Sequence, residues 1–315
     1  MSLLPGLGLF VLGLALVLVS SERLVEGTIG ISHHVGLSAF LISVVFIGFD
    51  AENLGVGAVA SAEGVAGIAL GTIVGAAMVA LALAFGLTAL VVPLDFEQVP
   101  RRILVLPVGA VVLLTLLALD GWLSRADGAL LLLGYVGAVG ILLRWERAGI
   151  HVAPTAAVES EIDAEAAEST VQSVAWFAAS LVGIVAGSEL LVRGARPLIV
   201  ALGWTETAFG MTLLALLVSV EEVARELPAA LKGRPDISYG NVLGSALAFF
   251  GFNAGVIALV QPVPVDPITQ HFYLPVCVGT VLLIAILMLR RRVPRWGGAL
   301  LVLVYLFFAA GPFVA

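Results

Sequence analysis

The chain has 315 residues, of which 61% are hydrophobic and 12% are charged, and its formal net charge is −7. Soluble domains carry roughly 25% charged residues, so this composition predicts an integral membrane protein with many spans. The acidic balance and the lack of a basic tract argue against nucleic-acid binding. The single cysteine, Cys277, excludes an intrachain disulfide and a cysteine-cluster metal site.

Apolar segments that are long enough to cross a bilayer follow one another along almost the whole chain. A spanning helix needs about 20 apolar residues, and prolines and glycines mark the turns between such segments. The first segment lacks a basic leader and continues into further membrane sequence, so we interpret it as a span and not as a cleaved signal peptide. The sequence predicts ten transmembrane helices: 3–31, 37–62, 66–92, 102–120, 127–146, 171–201, 205–231, 237–261, 268–290 and 296–314.

One long polar stretch, 148–170, is rich in acidic residues and separates two halves, 1–147 and 171–315, with five predicted spans each. We interpret it as a solvated linker in preference to a regulatory site. Basic residues in short loops set the orientation of a membrane protein. They place the linker in the cytoplasm and both termini outside the cell membrane. The basic residues that fall on the inner side are Arg101, Arg102, Arg144, Arg147, Lys232, Arg234, Arg290, Arg291, Arg292 and Arg295.

The two halves contain an internal repeat. The segment Ser21–Gly27 aligns with Ser188–Gly194. From the match of Ala39 with Ala208 onward, the two halves align without gaps. Because each half has an odd number of spans, we expect the second copy to be inverted relative to the first. Inverted repeats are common in secondary transporters, whose substrate sites lie near the membrane midplane. Matched positions include Glu52 with Glu221, Gly71 with Gly240, Gly86 with Gly255, and Pro93 with Pro262.

Two polar clusters lie midway along the second and seventh predicted spans. Charged residues inside a span are costly and mark ion pathways or binding sites. On helices, Asp50 and Asn53 would share a face, as would Ser219 and Glu222, and such oxygen ligands suit Ca²⁺, Na⁺ or Mg²⁺. In the structural alternative the acids pair with Arg225, but one arginine cannot neutralise five carboxylates. The predicted metal ligands are Asp50, Asn53, Ser219 and Glu222, with Glu52, Glu221, Glu226 and Ser245 as second-rank candidates.

Other polar residues in the spans have weaker functional interpretations. Glu22 and Glu189 occupy matched positions, where they either line an access path or mark a membrane boundary. His33 and His34 are interpreted as interfacial, since no HExxH helix exists to make them zinc ligands. Small residues in the third and eighth spans predict close helix packing.

The second half resembles the sodium/calcium exchanger family of the calcium/cation antiporter superfamily. Each of the two repeats in that family has a Gly-Thr-Ser-x-Pro-Glu segment on one helix and a Gly-Asn-x-x-Gly-Ser-Asn segment on the next. Here Ser219 falls on the motif serine, Glu222 falls on its glutamate, and 240–245 reads Gly-Asn-Val-Leu-Gly-Ser. The resemblance implies a ten-helix fold of two inverted five-helix repeats, with Ca²⁺ on the two motif glutamates and Na⁺ on the surrounding oxygens.

Several positions depart from the family pattern. In the first half, Asn53 stands where the family has glutamate, and Asp50 replaces the motif serine. In the second half, Glu221 replaces proline and Ala246 replaces the third-helix asparagine. The chain therefore keeps one motif glutamate in register and has other acids nearby, so the resemblance implies the fold more directly than the set of ions.

These observations predict an all-α integral membrane protein that works as a secondary-active cation antiporter, not as an enzyme, and without a cofactor. It would exchange Ca²⁺ or another divalent cation for Na⁺ or H⁺ by alternating access, because a dry site with several carboxylates is unstable without bound cations or protons. The smaller number of third-helix oxygens, compared with the family pattern, slightly favours H⁺ coupling or an altered ion. The alternative is a transport-inactive membrane sensor or subunit on the same fold. Expected partners are inorganic cations and the lipid bilayer, with no nucleic acid.

Overall fold

The computed structural model describes residues 2–35, 50–95, 101–147, 170–231 and 235–314, and this part of the chain is almost entirely helical. The helix boundaries agree closely with the predicted spans wherever both ends are described. The helices are α1 (Leu3–Val35), α2 (Ala51–Ala62), α3 (Ala66–Val91), α4 (Arg101–Asp120), α5 (Arg125–Arg147), α6 (Thr170–Leu202), α7 (Glu206–Val218), α8 (Val220–Leu231), α9 (Pro235–Leu247, Ala248–Asn253 and Ala254–Val260 in one run), α10 (Thr269–Leu289) and α11 (Arg295–Val314).

The described residues contain seven helices that are long and apolar enough to cross a membrane. They belong to α1, α3, α4, α5, α6, α9 and α10. The pair α7 and α8 counts as one further, bent span, and α11 contains a shorter apolar stretch, Arg295–Gly311. The prediction of a multi-spanning membrane protein is therefore confirmed. The second predicted span, 37–62, falls partly on residues outside the described ranges, as does the linker.

The predicted continuous span 205–231 is wrong in one respect, because the chain breaks at Ser219. The backbone of Ser219 (φ −107°, ψ 18°) ends α7, and α8 starts again at Val220 with its axis turned by 43°. The Glu222 N–H donates to the Ser219 carbonyl at 3.2 Å across this break. The polar residues of the second cluster are therefore at a helix junction and not along a continuous helix.

Burial separates a central layer from a peripheral one. In the apolar windows of the spans, α3 is 94% buried and α9 is 78% buried, whereas α1 and α6 are each 28% buried. The α1 and α6 helices pack closely against each other through glycines. A Cβ added at Gly13 would lie 2.6 Å from the Gly187 carbonyl oxygen, and one added at Gly187 would lie 3.0 Å from the Gly13 oxygen. Small residues permit such close backbone approach in membranes.

Short strands tie the two halves together, which the all-α prediction did not anticipate. The strand β1 (Leu94–Asp95) pairs with β4 (Arg292–Val293), and β2 (Trp122–Leu123) pairs with β3 (Val263–Pro264), both antiparallel. Each pair joins one strand of the first half to one strand of the second. With two residues per strand, no periodic sequence pattern exists from which they could be predicted.

Two π-helical stretches occupy matching positions in the two most buried helices. In α3 the stretch is Val79–Ala84, and in α9 it is Ala248–Asn253. They coincide in the register in which Gly86 aligns with Gly255. Wide turns of this kind interrupt regular helix hydrogen bonding and often occur near functional sites. They also change which side chains face the centre, compared with a regular helix.

Candidate cation site

Asp50 lies at the start of α2 and holds the helix terminus. Its Oδ1 accepts a hydrogen bond from the Asn53 backbone N–H at 2.8 Å, which is the geometry of an N-cap. Asp50 therefore precedes the helix and does not lie within it, although its side chain is beside that of Asn53 as predicted. An aspartate with this backbone conformation is favoured at the cap because its carboxylate satisfies an N–H that has no intrahelical partner.

Asn53 joins the two halves of the molecule. Its side chain is fully buried, and its Nδ2 donates to Asp50 Oδ2 at 2.7 Å and to Ser219 Oγ at 2.9 Å. These two bonds use both amide hydrogens. Its Oδ1 has no hydrogen-bond partner among the described residues. The first-rank residues Asp50, Asn53 and Ser219 are thus in one cluster, with a buried amide oxygen still available to a ligand.

Glu222 adds a carboxylate from the second half. It lies in the first turn of α8, where the Asn241 Nδ2 donates to its Oε2 at 3.0 Å. Both Glu222 and Glu52 are near enough to Asp50 to interact with it electrostatically. All four first-rank candidates therefore belong to one region, in which acids from the two halves face each other.

Glu226 is one turn further along α8 and is only 2% exposed. Neither carboxyl oxygen has a hydrogen bond among the described residues. Its polar neighbours are Asn241 and Ser238, and Glu222 is close enough to repel it. Isolated ionised carboxylates are very costly to bury, so a cation or a proton is needed beside this group.

The remaining second-rank candidates occupy distinct environments. Glu52 is buried (4% exposed), Glu221 is half-buried, and each has another interaction partner. Ser245 is buried in α9, one turn beyond Asn241. The side chain of Arg225, the partner of the acids in the structural alternative, lies outside the described part of the chain, as do those of His33 and His34.

Acidic side chains alone do not make up a metal site in the described part of the chain. Among the described residues, no three His, Cys, Asp or Glu side chains form a group that could hold a metal ion. Acids in the first turn of a helix, such as Glu52 in α2 and Glu221 and Glu222 in α8, also stabilise the positive helix terminus. The cluster therefore combines acids of both halves, Asp50 and Glu52 from one and Glu222 from the other, with the neutral oxygens of Asn53 and Ser219.

Two residues of this region, Asn241 and Ser238, were missing from the predicted ligand set. Asn241 belongs to the Gly240-Asn241 pair that resembles the family motif, so a signal for it was present in the sequence. Ser238 is fully buried and its Oγ has no hydrogen-bond partner in the described part of the chain. No spacing rule distinguishes this serine from other small residues of α9. The other matched acid, Glu189, is 45% exposed and pairs with Arg193 on its own helix.

The fold and this polar region define a multi-pass membrane protein of the cation-antiporter class. The chain belongs to the sodium/calcium exchanger family, whose sequence pattern matches residues 5–144 and 172–314. The resemblance drawn from the motifs is therefore confirmed, and it extends to both halves of the chain.

Similar proteins cover nearly the whole length. CaxA of Alkalimonas amylolytica, a candidate antiporter by name, is 29% identical over 95% of this chain and 96% of its own. The uncharacterised membrane protein MJ0091 of Methanocaldococcus jannaschii is 28% identical over 98% of both chains. Among solved structures, the sodium-calcium exchanger NCX_Mj, soaked with Na⁺ and Ca²⁺, superposes with a TM-score of 0.62 at 26% identity, covering 98% of this chain and 99% of that one.

Proposed function

We propose that the chain forms ten transmembrane helices in two inverted five-helix halves, 1–147 and 171–315, joined by a cytoplasmic linker, 148–170, with both termini outside. Three pairs of matched features support this arrangement. The π-helical stretches Val79–Ala84 and Ala248–Asn253 lie at matched positions. The strands β1 and β3 also lie at matched positions, and each pairs with a strand of the other half, β4 and β2. The contact of Gly86 with Gly298 recurs between Gly255 and Gly128. In the same register Asn53 matches Glu222 and Asp50 matches Ser219, so the inferred pseudo-twofold axis passes between these two pairs.

The protein works as a secondary-active cation antiporter that exchanges Ca²⁺, or another divalent cation, for Na⁺ or H⁺. The observation that carries this proposal is the bond between Asn53 and Ser219, which brings Asp50 of one half beside Glu222 of the other. Two opposed carboxylates match the charge of one divalent cation. Hard cations prefer oxygen ligands, and the Asn53 Oδ1 and Ser219 Oγ supply neutral ones.

Charge compensation couples the two fluxes. The carboxylates of the empty site repel each other and lie among buried residues, so the site is stabilised only when cations or protons are bound. Alternating access then lets the loaded site, but not the empty one, change sides. This chain has Asn53 at the first-half glutamate position of the family, and Asp50 replaces the lost charge three residues earlier. Because this acid is at a different position, we expect the distances from a bound cation to its ligands to differ from those at a site with two glutamates.

The test is uptake of ⁴⁵Ca²⁺ into proteoliposomes that contain the full chain, with an outward Na⁺ gradient in one set and an outward H⁺ gradient in another. Glu222→Gln keeps the size of the side chain and removes its charge, so we expect uptake to fall to background. The control is Glu206→Gln, which removes an exposed acid at the start of α7. Uptake by wild type that survives Glu222→Gln would contradict the assigned site. If no gradient drives uptake of Ca²⁺, Mg²⁺ or Mn²⁺, the antiport proposal fails and a sensor role is favoured.

A further inference from the structure

An apolar groove lies between α4, α5 and α9, away from the polar cluster. Its volume is about 390 Å³, which is within the size range of ligand pockets. Leu113 and Ile141 line its sides and Phe250 lines its floor. It is open because Gly109 and Gly137 lack side chains, and a Cβ added at either would meet nothing within 4 Å.

The groove leads to a cluster of arginines at one end. On α5, Arg144 follows the lining residue Ile141 by three residues, a spacing that shares a helix face. On α4, Arg101 and Arg102 lie in the 3-10 turn Arg101–Leu104, which leads directly into the lining residue Val105. Because α4 and α5 are consecutive helices joined by a short turn, the start of α4 and the end of α5 lie at the same end of the pair.

The arginine cluster also connects the two helices. Arg102 Cζ of α4 lies 5.1 Å from the centroid of the Trp145 ring of α5, a cation–π contact. Arg101, Arg102 and Arg144 are all exposed, and the described residues include no ion-pair partner for Arg101 or Arg144. Within the described ranges, Arg101 and Arg144 thus carry positive charges that no acidic side chain pairs, at the same end of α4 and α5 as Arg102.

We propose that this groove binds an anionic phospholipid, with one acyl chain in the groove and the phosphate between Arg101, Arg102 and Arg144. In a bilayer the material that covers an exposed apolar groove is lipid, and its uniformly apolar lining suits an acyl chain. The charge of the cluster selects the headgroup, since basic pockets between transmembrane helices on the cytoplasmic side bind anionic lipids. Positive residues in short loops also assign this end to the cytoplasm. This inference is independent of the transported ion.

Native mass spectrometry of the full chain in detergent tests the proposal, with dioleoylphosphatidylglycerol and dioleoylphosphatidylcholine added separately. We expect a one-to-one adduct with each lipid, formed at about a hundredfold lower lipid concentration for the anionic lipid than for the zwitterionic one. The difference arises because three arginines lie near the headgroup. The triple variant Arg101→Gln, Arg102→Gln, Arg144→Gln should abolish this preference. Gly137→Leu should weaken binding of both lipids equally, because it occupies the acyl-chain position.

Two controls separate this site from general lipid binding. Gly279→Leu adds the same side chain at an exposed glycine of α10 that also has open space around it, and it should leave both adducts unchanged. The triple variant Arg125→Gln, Arg193→Gln, Arg196→Gln removes the same charge from other surfaces of the protein and should keep the preference. Equal binding of the two lipids by wild type, or an equal loss in both triple variants, would overturn the proposal.

Discussion

The amide of Asn53 should be a main link between the two halves. Asn53→Ala removes the donor to Asp50 Oδ2 (2.7 Å) and the donor to Ser219 Oγ (2.9 Å), while the backbone cap from its N–H to Asp50 is retained. A hydrogen bond to a charged group contributes about 1.5–3 kcal/mol, and one between neutral groups about 0.5–1.5 kcal/mol. We therefore expect a loss of roughly 2–4 kcal/mol in the free energy of unfolding.

Thermal unfolding in detergent, followed by tryptophan fluorescence in the absence of divalent cations, measures this loss. For a chain of 315 residues the expected decrease in Tm is about 3–6 °C. Ser219→Ala removes only one of the two bonds and should cost about 1 kcal/mol. In the double variant the shared bond is counted once, so the combined loss should be smaller than the sum.

The double-mutant cycle decides whether the bond across the halves exists. Residues in direct contact show coupling of about 0.5–3 kcal/mol, whereas independent sites add to within about 0.5 kcal/mol. Strict additivity of Asn53→Ala and Ser219→Ala would refute the bridge, and with it the argument that Asp50 and Glu222 belong to one site. Asn53→Ala with an unchanged Tm would refute it as well.

Two further predictions concern packing and surface charge. Gly13→Ala should prevent stable packing of α1 on α6, because the new Cβ would lie 2.4 Å from the Leu191 backbone nitrogen. Gly8→Ala is the control, since its Cβ would lie in open space, and it should behave as wild type. Size-exclusion chromatography of both variants measures the difference. Glu63→Gln removes the ion pairs with Arg196 Nη2 at 3.0 Å and with Arg193 Nε at 3.7 Å, both exposed arginines. Since both arginines are exposed, the loss in the free energy of unfolding should be below about 1 kcal/mol and should vanish in 1 M salt. Unfolding measured at two salt concentrations tests this. A larger loss that does not depend on salt would contradict a surface role.

Much of the membrane architecture could be predicted because it depends on local composition. The ends of α4, α6 and α10 were predicted to within one or two residues, since long apolar runs bounded by prolines and charges leave few alternatives. The candidate residues Asp50, Asn53, Ser219 and Glu222 were chosen because polar groups in a span are costly, and the structure places them in one region. Their roles as metal ligands remain a prediction.

The geometry of that region could not be predicted from spacing. Treating Asp50 as part of a helix face ignored the tendency of aspartate to cap a helix from outside it. Treating 205–231 as one helix missed the break at Ser219, which carries no proline or glycine signal. The partners Asn241 and Ser238 come from the following helix, and their distance from Glu222 and Glu226 depends on how α8 and α9 pack together.

The sequence by itself determined the class of protein, the positions of most spans, the internal repeat and the family. The class and the spans follow from hydrophobicity, which depends on residues close together in the chain. The repeat and the family follow from direct comparison of sequences. Only the tertiary structure decided that Asn53 bonds Ser219 across 166 residues, that β1 pairs with β4, and that Arg102 of α4 contacts the Trp145 ring of α5. Such contacts form between segments remote in sequence, and their energies depend on distances and orientations that helix packing alone sets.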